Sequence, residues 1–143
     1  MTLRVREEQL LAFRAVADED FVARTAEYLR AEHPEAAVAL PDGERPLSEM
    51  PDELLLGMVR RGIARARSYG LTWESSITAF VVLMFVVAPN FDAHPLIRRV
   101  LTDEKVAPDL RVDQLWEETT DENWEAAAAG YDAGAWEVTA DAP

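Results

Sequence analysis

The sequence predicts an all-α fold, a compact helical bundle of about five to seven helices with one helix, residues 73–88, buried at its centre. Three observations lead there. Apolar residues recur in steps of three and four through most of the first hundred positions, the spacing that lines one face of a helix. One stretch, Ala79 to Ala88, is apolar almost without interruption. The prolines fall between the periodic stretches rather than inside them.

Residues 6–33 read as helix, with Leu10, Phe13, Ala17 and Phe21 on one face. The stripe breaks at Arg24 and resumes at Tyr28 and Leu29. Asp18-Glu19-Asp20 allows either one bent helix or two, with Asp18 or Asp20 as the second cap. Pro34 ends the segment, because the residue before a proline is pushed out of the α region. Residues 34–51 carry Pro34, Pro41, Gly43, Pro46 and Pro51 and read as a surface or functional loop, with a tight turn at Asp42-Gly43.

From Asp52 to Tyr69 the helical pattern is strong: Leu55, Val59, Ile63 and Ala66 share a face that Leu54, Met58 and Gly62 widen. Gly70 stands where a left-handed residue closes a helix. Thr72 is the expected cap of the next helix, Trp73 to Ala88, whose all-round apolarity from Ala79 onward calls for burial on every side. Pro89-Asn90 stops it. A short helix follows from Pro95 to about Thr102. Another starts at Pro108-Asp109 with Leu110, Val112, Leu115 and Trp116, and Thr120 or Asp121 caps a last one through Trp124. Residues 1–130 make one helical domain, and 131–143 an extended or disordered acidic tail.

A chain of 143 residues suits one domain. Its core is large enough to need no disulfide, and there are no cysteines to make one. The formal charge is −13. Such a surface repels phosphate and anionic lipid, which excludes nucleic-acid and membrane partners and favours a basic one. The longest apolar run spans about 15 Å as a helix, half of a hydrocarbon core. With no apolar leader after Met1, the expected location is the cytoplasm. Arginine dominates the bases, with Lys105 the single lysine, as GC-rich bacterial coding produces.

Four features are candidate sites. Arg60, Arg61, Arg65 and Arg67 crowd one helix and suit an anion or an acidic partner; the alternative is pairing with the chain's own acids Glu117, Glu118, Asp121, Glu122 and Glu125. A helix-turn-helix reading of 64–80 fails, because the second helix has almost no side chain able to read a base edge. His33 and His94 are surface or capping groups, since Asp92 with His94 falls short of a zinc ligand set. Trp124, Tyr131 and Trp136, dotted through an acidic segment, are either partner anchors or the closure of the bundle, whereas Trp116 belongs in the core beside Leu115 and Val112. No nucleophile elbow, phosphate loop or metalloprotease motif is present, and no catalytic, cofactor or metal-binding residue is assigned.

The stretch Arg61-Gly62-Ile63-Ala64-Arg65-Ala66-Arg67-Ser68-Tyr69-Gly70-Leu71-Thr72, followed by Leu83-Met84 and Pro89-Asn90-Phe91-Asp92, resembles a poorly characterised group of small helical bacterial proteins. These are often encoded near type VI secretion spike and polymorphic-toxin genes. The opening Val5-Arg6-Glu7-Glu8-Gln9 is similar to theirs as well. The chain departs from the group at Ala79-Phe80-Val81-Val82, where the others carry polar residues before the Leu-Met pair. The resemblance implies a non-enzymatic accessory, an adaptor, chaperone or immunity-like partner of a secreted effector or spike component. On residues alone, the expected binding surface joins the acidic C-terminal segment to the 34–51 loop. A rival reading is a small enzyme or ligand-binding bundle with a pocket lined by Tyr28, Tyr69 or Asp92.

Overall fold

A computed structural model describes residues 18–137. The chain is mostly helical, with six helices and one small hairpin among the described residues. Helix α1 (residues 18–32) buries Phe21, Val22, Thr25, Ala26 and Leu29 along one face. It is already helical at residue 18, so neither Asp18 nor Asp20 caps a new helix. Asp18 pairs instead with Arg67, and Asp20 with Arg24 one turn on. The part of the proposed helix before residue 18 lies outside the described residues. The helix closes at His33, whose N–H reaches Leu29 O, just before Pro34.

The expected loop at 34–51 is instead a β-hairpin, so the fold is not strictly all-α. Strand β1 (Ala37–Leu40) pairs antiparallel with β2 (Gly43–Pro46), Ala37 opposite Pro46 and Leu40 opposite Gly43. Pro41 presets the turn, and Gly43 takes φ +146°, which L side chains rarely adopt. The strand signal is faint: only Val38 and Leu40 point inward, while β2 offers no large apolar residue and ends in proline.

Helix α2 (Asp52–Ser68) follows the expected stripe, burying Leu55, Met58, Val59, Gly62, Ile63 and Ala66. Asp52 and Glu53 open it and Arg65 and Arg67 close it, each charge matched to the helix dipole. It packs against α3 (Glu74–Val86), and Gly62 permits the closest approach: a Cβ there would sit 3.2 Å from Met84 Sδ and from Val81 Cγ2. Thr72 does not cap α3. Asp109 serves its N-terminus from elsewhere in the chain, accepting the Thr72 and Trp73 N–H groups at 2.9 and 2.8 Å and the Thr72 hydroxyl at 2.8 Å.

After a 3-10 turn at Phe91–Ala93, α4 (Pro95–Leu101) starts with His94 Nδ1 accepting the Leu96 N–H, the capping role expected of that histidine. A second 3-10 turn, Pro108–Leu110, leads into α5 (Arg111–Glu118). Arg111 donates to the carbonyls of Asp103, Val106, Tyr69 and Leu101, stitching the loop after α4 to the end of α2. Helix α6 (Asp121–Ala129) begins at the expected Thr120, which forms a reciprocal capping box with Asn123.

The expected extended tail departs most from the structure. Residues 131–137 are folded against the bundle through Tyr131 and Trp136, with a 3-10 turn at Ala133–Trp136 and Trp136 only 2% exposed, while Asp132, Gly134 and Glu137 stay exposed. The Tyr131 hydroxyl donates to Ala39 O (2.9 Å) and accepts from Ala39 N (3.0 Å) and Trp136 Nε1 (2.7 Å). It thereby fills the outer edge of β1. The Asn90 side chain holds the Gly130 carbonyl and the Asp132 N–H. Backbone groups anchored in this way no longer depend on water, which orders a segment of weak intrinsic helix propensity. Residues 138–143 lie outside the described residues.

Candidate functional site

Helix α3 carries the most informative surface. Its composition asks for burial on all sides, and Ile77, Phe80, Val81, Leu83, Met84 and Phe85 are indeed buried. The row Ser75, Ala79, Val82 and Val86 is not. Among the described residues Ser75, Ala79 and Val82 line an open furrow between α1 and α3, and the same row continues to Val86, 49% exposed, in a neighbouring recess beside Glu32. The expected central helix is therefore covered on only part of its circumference.

At one end of the furrow Arg24 of α1 reaches the Glu74 carboxylate with two hydrogen bonds, of 3.2 and 3.1 Å; at the other, Glu32 borders a recess with Val86. The wider end has a volume of about 500 Å³ and is walled by Phe21 and Tyr28 of α1 and by Trp116 of α5. Trp116, expected in the core, is 54% exposed. Helix α5 is short, so Val112 and Leu115 complete its buried face and Trp116 falls outside it. The ring is still held in place: it lies 5.5 Å from Trp124, which packs on Phe91 and donates from Nε1 to Thr119 Oγ1 at 2.8 Å. An aromatic fixed on one side and open on the other loses little entropy on binding.

Among the described residues, the one charged pair in the furrow and the Thr25 hydroxyl are already committed. Arg24 is shared between Glu74 and Asp20, and the Thr25 hydroxyl donates to Phe21 O within its own helix. Hydrogen bonds to Glu74 first, and to Asp20 second, hold the Arg24 guanidinium well above its ordinary pKa. Nothing here converges on a reacting atom. Tyr28 lines the furrow as the rival reading supposed, but Tyr69 and Asp92 sit elsewhere.

Those two belong to a buried structural network. Asp92, 1% exposed, accepts the Tyr69 hydroxyl at 2.6 Å. Arg65 Nη2 lies 2.7 Å from Asp92 Oδ1 but off the hydrogen-bond direction, so that contact is ionic rather than directed. Burial, reinforced by Asp92, pushes the Tyr69 pKa up to about 12. Tyr69 stays a neutral donor and Asp92 its acceptor. Their role is to tie the end of α2 to the turn after α3.

The other expected site residues scatter. Arg60 binds Glu19 through two hydrogen bonds of 2.8 and 2.9 Å, and Arg67 binds Asp18. The hydrogen bond from Arg60 lowers the Glu19 pKa. Three of the four arginines, Arg60, Arg65 and Arg67, are thus paired within the chain, by α1 and Asp92 and not by the C-terminal acids. Arg61 makes no ion pair among the described residues and borders a separate recess with Met58, Met84, Trp136 and Glu137. Glu117, Glu118, Asp121, Glu122 and Glu125 are exposed without ion pairs among the described residues. Tyr131 and Trp136 close the bundle and Trp124 is half-buried under Trp116, so none of the three is a free anchor. Among the described residues no cluster of three His, Asp or Glu side chains could hold a metal, and no helix is long and apolar enough to cross a membrane.

Comparison with known proteins adds no family: no protein-family model, curated protein or solved structure matches the chain.

Proposed function

We propose that this protein binds another protein through the α1–α3 furrow and acts without catalysis, as an accessory to a bacterial secreted effector, spike or toxin system. The supporting observation is that α3, apolar on every side from Ala79 onward, leaves the row Ala79, Val82 and Val86 only partly covered, with two exposed aromatics, Tyr28 and Trp116, beside Ala79 and Val82. An apolar strip framed by a fixed tryptophan is the anatomy of an interface core. The binding surface so defined differs from the C-terminal segment and 34–51 loop favoured by sequence, because Tyr131 and Trp136 are engaged in the fold. The setting in secretion rests on the resemblance, and the cytoplasmic location is proposed from the absence of cysteines.

The test is affinity purification of the tagged full chain from its host, alongside Trp116→Ala and Val86→Glu. Both sites are half exposed, so the variants should fold. One stoichiometric partner is expected, weakened by about 30-fold or more in Trp116→Ala, the loss of a hot-spot residue. Retention of that partner at full strength by both variants would refute the furrow as the binding surface.

A further inference from the structure

We infer that the furrow accepts a single amphipathic helix of about three turns, with a basic flank, from another protein. This rests on the proposed binding role and adds the chemistry of the occupant. The floor from Ser75 to Val86 is roughly 16 Å long at about 1.5 Å per residue, which matches three turns of helix. Its residues recur at helical spacing, the arrangement into which apolar side chains at i, i+3 and i+7 of a second helix can pack. An extended strand has no comparable seat. The backbones of α1 and α3 are engaged in their own helices, and the outer edge of β1 at Ala39 is filled by the Tyr131 hydroxyl.

Charge selects the flank. Among the described residues Arg24 is the one arginine or lysine lining the furrow, and two carboxylates neutralise it. Glu74 stands at one end, and Glu32 and Glu35 border the other beside His33, a group able to become cationic; Asp113 and Glu117 flank Trp116 in the sequence of α5. Glu32, Glu35, Asp113 and Glu117 have no ion pair among the described residues. A helix with lysines or arginines beside its apolar stripe meets this rim with opposite charge, and the overall −13 steers it in. A second copy of the same chain would arrive with the wrong sign.

The test uses the full chain and three labelled synthetic peptides of about fourteen residues, followed by fluorescence anisotropy. One is a leucine/lysine amphipathic helix, one its leucine/glutamate counterpart, and one a scrambled leucine/lysine peptide of equal charge. The patterned basic peptide is expected to bind at least about tenfold more tightly than either other, and to lose at least about tenfold in Trp116→Ala and Val86→Glu. Glu104→Ala, away from the furrow, should leave binding unchanged.

Equal binding of patterned and scrambled peptides would reduce the effect to bulk charge and overturn the proposal. So would binding insensitive to both furrow variants, or no binding at all. Furrow-dependent binding of the acidic peptide as tight as the basic one would keep the protein-binding role and reject the basic flank. A concentration-dependent dimer that the peptide disperses would name a second copy as the occupant instead. Acrylamide quenching of wild type against Trp116→Phe covers the remaining occupant. If Trp116 is shielded in the free chain and opened by deleting residues 1–17, the chain fills its own furrow and the inference fails.

Discussion

Gly57 and Gly62 stand on the same helix under opposite demands. At Gly57 an added Cβ meets only the Arg61 side chain at 3.6 Å, an ordinary contact. Gly57→Ala should therefore stabilise the protein by about 0.5–1 kcal/mol, the helix-interior cost of glycine. At Gly62 the same Cβ lands 3.2 Å from Met84 Sδ and Val81 Cγ2. Met84 is flexible but Val81 is branched and buried, so overpacking of about 1–3 kcal/mol should exceed the gain in propensity. Urea denaturation of the two variants should move the midpoint in opposite directions. Tyr131 carries a different load. Tyr131→Phe leaves Ala39 N–H, Ala39 O and Trp136 Nε1 without their shared partner, and should cost about 1–3 kcal/mol in the same assay.

Elements in this chain are often completed by residues far away in sequence. The N-terminus of α3 depends on Asp109, whose burial would raise its pKa but whose hydrogen bonds from Trp73, Thr72 and Ser76 outweigh it and hold the value below the ordinary carboxylate range. A depressed folded-state pKa contributes stability above the unfolded value, about 3.9, and loses it as the pH falls through the folded value. Asp109→Ala should cost about 1 kcal/mol near neutral pH, in the range of a lost helix cap. That gap between wild type and variant, read from urea midpoints, should narrow steadily below about pH 4. The sequence pointed to Thr72 because a threonine before a helical run is a sound local signal. Nothing local reveals a carboxylate brought in from Asp109. The same reasoning covers the hairpin: Val38 and Leu40 alternate correctly, but a two-residue inward signal amid prolines does not separate strand from loop.

At the scale of the whole molecule, the surplus of acids shapes stability. Apart from Arg65 with the buried Asp92, the described ion pairs join exposed or half-exposed partners, where each contributes little. The larger electrostatic effect is repulsion among carboxylates in a chain of charge −13. Raising salt from about 10 to 150 mM shortens the screening length from about 30 to 8 Å. Thermal unfolding should accordingly move to higher temperature over that range. A fall would mean that the ion pairs outweigh the repulsion.

The helices and their order were legible from periodicity because each core-facing stripe, such as Leu55, Val59, Ile63 and Ala66, is a local property of spacing. Caps with local partners, Thr120 and His94, were legible for the same reason. The fates of the tryptophans were not. Trp116 follows Leu115 on a helix too short to bury both, while Trp136 sits in a weak, glycine-bearing segment that Tyr131 and Asn90 anchor from outside. Composition established that α3 must be covered; only the packing of α1, α2 and α5 around it determined which row stays open, because burial of an all-round apolar helix depends on how many neighbours reach it.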